Sequence, residues 1–157
     1  MRKLTITFKL NGEKTSVDVE PNDGLLDVLR DKVGVKSPKA GCERGDCGAC
    51  TVLMDGKTVR TCLILAAEAD GHSIVTVEGL SRVNLTPLQK AFIKHNSFQC
   101  GYCAPGVVLA ATELLRRNRR PTRRQVQEAI AGNLCRCTGY SSIIEAVMDV
   151  SRRGGRK

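Results

Sequence analysis

Residues 41–62, GCERGDCGACTVLMDGKTVRTC, limit this chain more than any other stretch. The cysteines stand at Cys42, Cys47, Cys50 and Cys62, a Cys-x4-Cys-x2-Cys-x11-Cys spacing. Three thiols fall within nine residues, among glycines at 41, 45 and 48. Such a segment is too rich in glycine to be a helix and too polar to hide in an apolar core. It must be a loop, and the rest of the chain has to support it.

The spacing is that of a plant-type [2Fe–2S] site, in which three thiolates come from one loop and the fourth returns from further along. Glycine lets the backbone approach closely and aim N–H groups at sulfur, which offsets negative charge there and tunes the potential.

The chain has eight cysteines in all. This count implies a disulfide framework, a metal protein or a redox protein. The N-terminal MRKLTITFKLNG alternates like a strand and shows no apolar signal core, no small-residue cleavage site and no twin arginine. No run of about 18 apolar residues suggests a membrane span. The expected location is therefore a reducing cytoplasm, where disulfides do not persist. The formal charge is +9, counted with neutral cysteines. Two oxidised clusters, each about −2 with its four thiolates, would lower it to about +5. Part of the basic excess thus offsets a cofactor and need not attract nucleic acid. Aromatic residues are 3% and Trp is absent, so platforms for stacking bases are scarce.

Taken in order, residues 4–10 alternate with Leu4, Ile6, Phe8 and Leu10 on one face, a half-buried strand. Asn11-Gly12 signals a type I′ hairpin into a second strand, 13–19. Pro21-Asn22-Asp23-Gly24 breaks it, with Asn22 or Asp23 placed to cap a helix over about 24–33 that Gly34 ends. After the cysteine loop, 51–54 and 58–61 read as a hairpin through Asp55-Gly56. A helical turn over 63–68 and a last strand over 73–77 follow. This is an α+β order, as in a β-grasp. From residue 78 the pattern turns helical. Capping boxes at Thr86/Gln89 and Thr122/Gln125 start two helices, Pro105 suits the first turn of another, and a last helix covers about 141–152. Four helices with short links make a small bundle, and the tail SRRGGRK is expected to fray. The expected domains are 1–77, a linker over 78–85, and 86–157. Each half is marginal alone in core size, and a bound cluster would stabilise it.

The helical half holds the second quartet, Cys100, Cys103, Cys135 and Cys137. Both pairs sit at helix ends, where two turns can face each other and the helix N-termini favour anionic sulfur. Taken alone, this quartet also suits a Cys₄ zinc site. Beside the plant-type loop, a second iron–sulfur cluster is the better reading.

QCGYCAPG and GNLCRCTGY, beside GCERGDCGAC, resemble the two-cluster iron–sulfur subunit of the molybdenum hydroxylases. That family includes xanthine dehydrogenase, aldehyde oxidoreductase and carbon monoxide dehydrogenase. The resemblance spans nearly the whole chain and all eight cysteines, and it departs at Ala104, where relatives more often carry Ser or Thr. It implies a β-grasp plant-type ferredoxin domain followed by a four-helix-bundle [2Fe–2S] domain. It implies that Cys42, Cys47, Cys50 and Cys62 hold the cluster nearer a flavin. Cys100, Cys103, Cys135 and Cys137 would hold the one nearer a molybdopterin cofactor. Gln99 and Cys137 match positions that touch the pterin; without the resemblance, Gln99 reads equally well as a capping or solvated amide. The implied partners are a large molybdopterin-binding subunit and a medium FAD-binding subunit, in a heteromer extending to a dimer of heterotrimers. The implied role is to pass single electrons, with no substrate chemistry on this chain.

Other features take plainer readings. His72 and His95 lack ligand spacing and read as surface or packing residues. The chain has no Walker loop and no GxGxxG after a strand, so it is not expected to bind a nucleotide itself. Arg116, Arg117, Arg119, Arg120, Arg123 and Arg124 read as a solvated helix end and loop. A docking face for an acidic partner and a nucleic-acid patch are the sharper alternatives. Two other functions compete with the redox subunit: a basic, zinc-stabilised module that binds nucleic acid, and a free-standing ferredoxin-like shuttle.

Overall fold

The computed structural model describes residues 3–81 and 83–153. Strands β1 (Leu4–Leu10) and β2 (Glu13–Val19) pair antiparallel from Leu4↔Val19 to Leu10↔Glu13. Their turn has φ of 52° at Asn11 and 89° at Gly12. Two successive left-handed residues are what a type I′ turn needs, which is why Asn-Gly marks it. Strands β3 (Thr51–Met54) and β4 (Lys57–Arg60) repeat the device through Asp55-Gly56, at φ of 49° and 83°. The short β5 (Ser73–Val75) runs parallel to β1 and antiparallel to β3, giving one mixed sheet ordered β2-β1-β5-β3-β4.

One face of this sheet is covered by helix α1 (Leu25–Asp27), which continues as a π-helical turn over Val28–Lys32. Leu25, Val28 and Leu29 meet Ile6, Phe8, Val19, Val52 and Ile74 in the core. Full burial of each such side chain contributes about 1.5–3 kcal/mol. The expected cap differs from the observed one. Neither Asn22 nor Asp23 caps this helix; Gly24 is the N-cap residue, without a side-chain bond. Asp23 instead accepts from Glu20 N at 2.9 Å and from Lys32 Nζ at 2.7 Å. Its carboxylate closes the turn ahead of the helix, where a local N–H competes with the helical one. The π winding, with Val33 N bonded to Val28 O, has no signature in the residue pattern. Gly34 does close the segment, at φ +87°.

Two further boundaries shift. The expected helical turn over 63–68 is two 3₁₀ turns, Thr61–Leu63 and Ala66–Ala69, so Cys62 lies within a turn. The last strand stops at Val75, and Val77 opens a short helix α2 (Val77–Leu80). Asn11 explains the stop: its side-chain Oδ1 takes the Thr76 N–H at 2.9 Å and its Nδ2 bonds Thr76 Oγ1 at 3.0 Å. A side chain has replaced the next rung of the ladder.

The second half contains α3 (Pro87–Lys94), α4 (Ala104–Arg117), α5 (Arg123–Ile130) and α6 (Ser141–Arg153). Both expected capping boxes form, with Gln89 N bonded to Thr86 Oγ1 and Gln125 N to Thr122 Oγ1, each at 3.2 Å. Phe92, Val107, Val108, Val126, Ile130, Ile143 and Val147 make the core of this half. Ser151, expected in the frayed tail, is buried and donates to Arg119 O at 3.3 Å. Residues 154–157 of that tail lie outside the described residues. Among the described residues, no helix is long and apolar enough to cross a membrane.

The halves are packed together. Helix α4 lies against β3 and β4, and its Glu113 accepts the Thr58 N–H at 2.8 Å. Glu78 of α2 ties the strand end back to the entrance of the cysteine loop. It accepts from Ser37 N at 3.1 Å, and from Ser37 Oγ and Thr76 Oγ1 at 2.5 Å each.

Candidate metal centres

The loop over 35–50 is held open by main-chain anchors. Arg30 Nη1 donates to Pro38 O at 2.7 Å, Lys39 N to Ala49 O at 3.0 Å, and Tyr102 Oη from the helical half to Ala40 O at 2.7 Å. Within this frame the four thiols approach as two pairs. Cys50 Sγ and Cys62 Sγ are 3.4 Å apart. Cys42 and Cys47 pair next to them, with the Cys47 N–H directed at Cys42 Sγ at 3.4 Å and the Ala49 N–H at Cys47 Sγ at 3.5 Å. Space requires the glycines at 41 and 45, and φ requires Gly45 as well. A Cβ at Gly41 would stand 2.8 Å from Cys47 Sγ, and one at Gly45, where φ is +88°, would lie 2.6 Å from Leu63 Cδ1.

The second quartet is built alike. Cys103 sits at the N-cap position of α4 and is buried, while Cys135 and Cys137 lie between α5 and α6. Cys100 and Cys137 approach to 3.6 Å at the surface, and Cys103 and Cys135 form the inner pair. Tyr140 organises this loop: its hydroxyl oxygen accepts the Cys135 N–H at 2.7 Å, and Thr138 Oγ1 lies 3.2 Å from Cys135 Sγ. Gln99 is exposed, and its Nε2 donates to Cys137 O at 3.1 Å.

The electrostatics differ from thiol to thiol within each quartet. Backbone N–H groups of Arg44 and Cys47 lower Cys42 to about 7. Tyr102 N–H lowers Cys100 in the same manner. Burial pushes Cys62 up to about 11 and Cys103 up to about 12. Without a cation, Cys62 and Cys103 hold their protons; a metal must supply the charge that makes them thiolates.

The donor set fits a diiron core. A [2Fe–2S] cluster takes four cysteines, two on each iron, so sulfurs should come in two close pairs. Both quartets do so. Among the described residues, no three His, Cys, Asp or Glu side chains gather around a single-ion point. The remaining candidates behave as surface groups: His72 Nδ1 is 2.5 Å from Asp55, and His95 Nε2 is 3.2 Å from Asp149. In the arginine run, Arg117 pairs with Glu113, Arg123 with Glu145 and Arg124 with Glu128.

Reading the sequence did not single out Thr51, Arg60, Asn133 or Tyr140, all of which sit between or against the cysteine loops. The Gly-Asn end of α5 and the Thr-Gly-Tyr after Cys137 were visible only as helix punctuation and as motif letters.

A mixed sheet joined to four helices, carrying eight thiols as two double pairs, defines a protein organised around two cysteine sites. Residues 8–75 match the 2Fe-2S iron-sulfur cluster binding domain, and residues 76–148 match the [2Fe-2S] binding domain. The nicotine 6-hydroxylase small subunit of Paenarthrobacter nicotinovorans is 50% identical over 99% of this chain and 94% of its own. The nicotinate dehydrogenase small FeS subunit of Eubacterium barkeri is 48% identical over 94% of each. Among solved structures, quinoline 2-oxidoreductase from Pseudomonas putida 86 superposes with a TM-score of 0.91 at 44% identity, covering 99% of this chain and 100% of that one. The aldehyde oxidoreductase of Desulfovibrio gigas gives 0.90 at 41% identity, with 98% of this chain matching 18% of that longer one. The chain belongs to the two-cluster [2Fe–2S] small subunits of the molybdenum hydroxylases. The second match sets aside zinc for the helical quartet, and with it the nucleic-acid module built on zinc.

Proposed function

We propose that this chain is the electron-transfer subunit of a molybdopterin-dependent hydroxylase or dehydrogenase and acts in the cytoplasm. Residues 1–77 serve as a β-grasp plant-type ferredoxin domain, 78–85 as the linker and 86–157 as a four-helix-bundle [2Fe–2S] domain. Cys42, Cys47, Cys50 and Cys62 hold one cluster, and Cys100, Cys103, Cys135 and Cys137 hold the other. When bound, each cluster supplies a one-electron couple between a molybdenum centre on a large partner subunit and FAD on a medium one.

The protein's own residues do three things. Cys50 and Cys103 are buried away from water, Cys103 within the apolar core of the helical half. Backbone N–H groups at Cys47, Ala49 and Tyr102 face sulfur and offset its charge. The exposed edge formed by Gln99, Cys100 and Cys137 faces outward, where the pterin of the large subunit would meet Gln99 and Cys137. Substrate chemistry belongs to that partner, in a heteromer extending to a dimer of heterotrimers.

The observation that carries this reading is the gathering of eight thiols into two paired quartets on loops that touch each other. Anaerobically purified protein should contain about four iron and about four labile sulfide per chain, with two distinct spin signals on reduction. Zinc without labile sulfide would overturn it. Affinity purification of the intact complex should bring down a molybdenum-containing large chain; a protein that purifies alone would instead be a free shuttle.

A further inference from the structure

Beneath the contact between the two cysteine loops, polar groups from both halves meet in one knot, buried at Thr51 and Asn133 and half-buried at Arg60. Thr51 Oγ1 donates to Gly48 O at 2.6 Å and accepts from Arg60 Nη1 at 2.7 Å and from Asn133 Nδ2 at 3.1 Å. Arg60 Nη2 reaches across to Gly132 O at 2.8 Å, and Asn133 Nδ2 returns to Gly48 O at 3.1 Å. Asn133 is 1% exposed, and its Oδ1 has no partner among the described residues. Turning the amide over would set its oxygen against two acceptors, so the nitrogen must face the knot. The two hydrogen bonds made by Nδ2 across the seam offset that unmatched acceptor.

Every group in this knot stands close to a cysteine. Gly48 follows Cys47, Thr51 follows Cys50, Arg60 precedes Cys62 by two residues, and Gly132 and Asn133 lie just before Cys135. The seam leaves no slack. A Cβ at Gly48 would lie 2.2 Å from Gly132 O, and one at Gly106 would lie 2.5 Å from Gly48 O. A planar guanidinium with one acceptor at the start of β3 and the other in the turn after α5 fixes direction as well as distance, which an ammonium cannot do.

We propose that Arg60 and Asn133 are positioning residues for electron transfer: they lock the two cysteine loops in one relative placement and so set the separation of the clusters those loops hold. This rests on the two-cluster reading above. Tunnelling falls steeply with distance, so a clamp at the seam governs the hop between clusters without touching either metal site.

The test uses the intact complex, reduced and frozen, and reads the dipolar splitting between the two cluster spins, together with the rate of cluster-to-cluster transfer. R60M removes both donors at similar length. G132A keeps the arginine but puts a methyl 2.4 Å from its present Nη2 position, driving it off Gly132 O. Both should keep the full iron content and each cluster's own spectrum, with altered splitting and slower transfer. R60K, which retains charge without the fork, should fall between them and the unmodified protein. Unchanged splitting in R60M and G132A overturns the proposal, as does R60K behaving like the unmodified protein. If R60M loses iron, G132A decides; iron loss in both also overturns it, because the knot would then be holding the clusters themselves. An unmodified complex without two cluster signals would fail at the earlier reading, before any variant is compared.

Discussion

The Leu134 N–H donates to Cys47 O at 2.8 Å, joining a neighbour of Cys135 to a cysteine from the other half of the chain. Leu134 is 57% exposed, while Asn133 beside it is 1% exposed and bonded to Gly48 O and Thr51 Oγ1. The first expectation follows from that contrast. In hydrogen exchange read by mass spectrometry, the peptide carrying Leu134 should exchange slowly, and N133A should release it without releasing α3. Equal exchange in both proteins would show that the bond does not depend on Asn133.

Two glycines with similar backbone angles should respond differently to alanine. Gly34 has φ +87° and nothing within 4 Å of an added Cβ, so G34A should cost only the left-handed penalty of about 1–2 kcal/mol. Gly48 has φ +72° and the Gly132 carbonyl in the way, so G48A adds a clash that backbone must relieve. It should cost clearly more than about 3 kcal/mol and reduce iron content. Denaturation midpoints and iron assays separate the two.

The cysteine quartets can be counted separately. C47S should lose one cluster, leave about two iron per chain and interrupt delivery to the flavin while molybdenum stays bound in the partner. C137S should remove the other spin signal and block the first transfer. Full turnover by either variant with an acceptor downstream of its cluster would reverse the assigned order.

Glu78 gives a pH dependence. Burial alone pushes its carboxyl up, but hydrogen bonds from Ser37 and Thr76 together outweigh burial and hold it below its ordinary 4.5. A lowered folded value means a stabilising contribution that is present above the unfolded value and lost as pH falls through the folded one. Much of this side chain is exposed, so screening limits the effect to about 1 kcal/mol or less. E78Q should therefore lower thermal stability slightly at neutral pH, with the difference closing below the ordinary carboxylate range. A constant difference across that range would show the carboxylate is not the cause.

Several elements were legible because their causes are local. Asn11-Gly12 and Asp55-Gly56 are type I′ turns wherever the strands lie, since two left-handed residues are needed and these supply them. Thr86/Gln89 and Thr122/Gln125 cap within four residues. Asp23 misled because the same carboxylate serves either a helix end or the turn before it, and Lys32, nine residues on, favours the turn. The end of β5 was illegible for a similar reason: Asn11, in the turn between β1 and β2, displaces the ladder.

By itself the sequence determined that eight thiols fall into two quartets, that glycine surrounds the first, and that a sheet-forming half precedes a helical one. Spacing, φ preference and periodicity are properties of short stretches, and they survive without any fold. Only the tertiary structure decided which sulfurs are neighbours, Cys50 with Cys62 and Cys100 with Cys137, and that Arg60 and Asn133 close the seam between the loops. Those relations join residues far apart along the chain, where distance is set by how sheet and helices pack and not by any local preference.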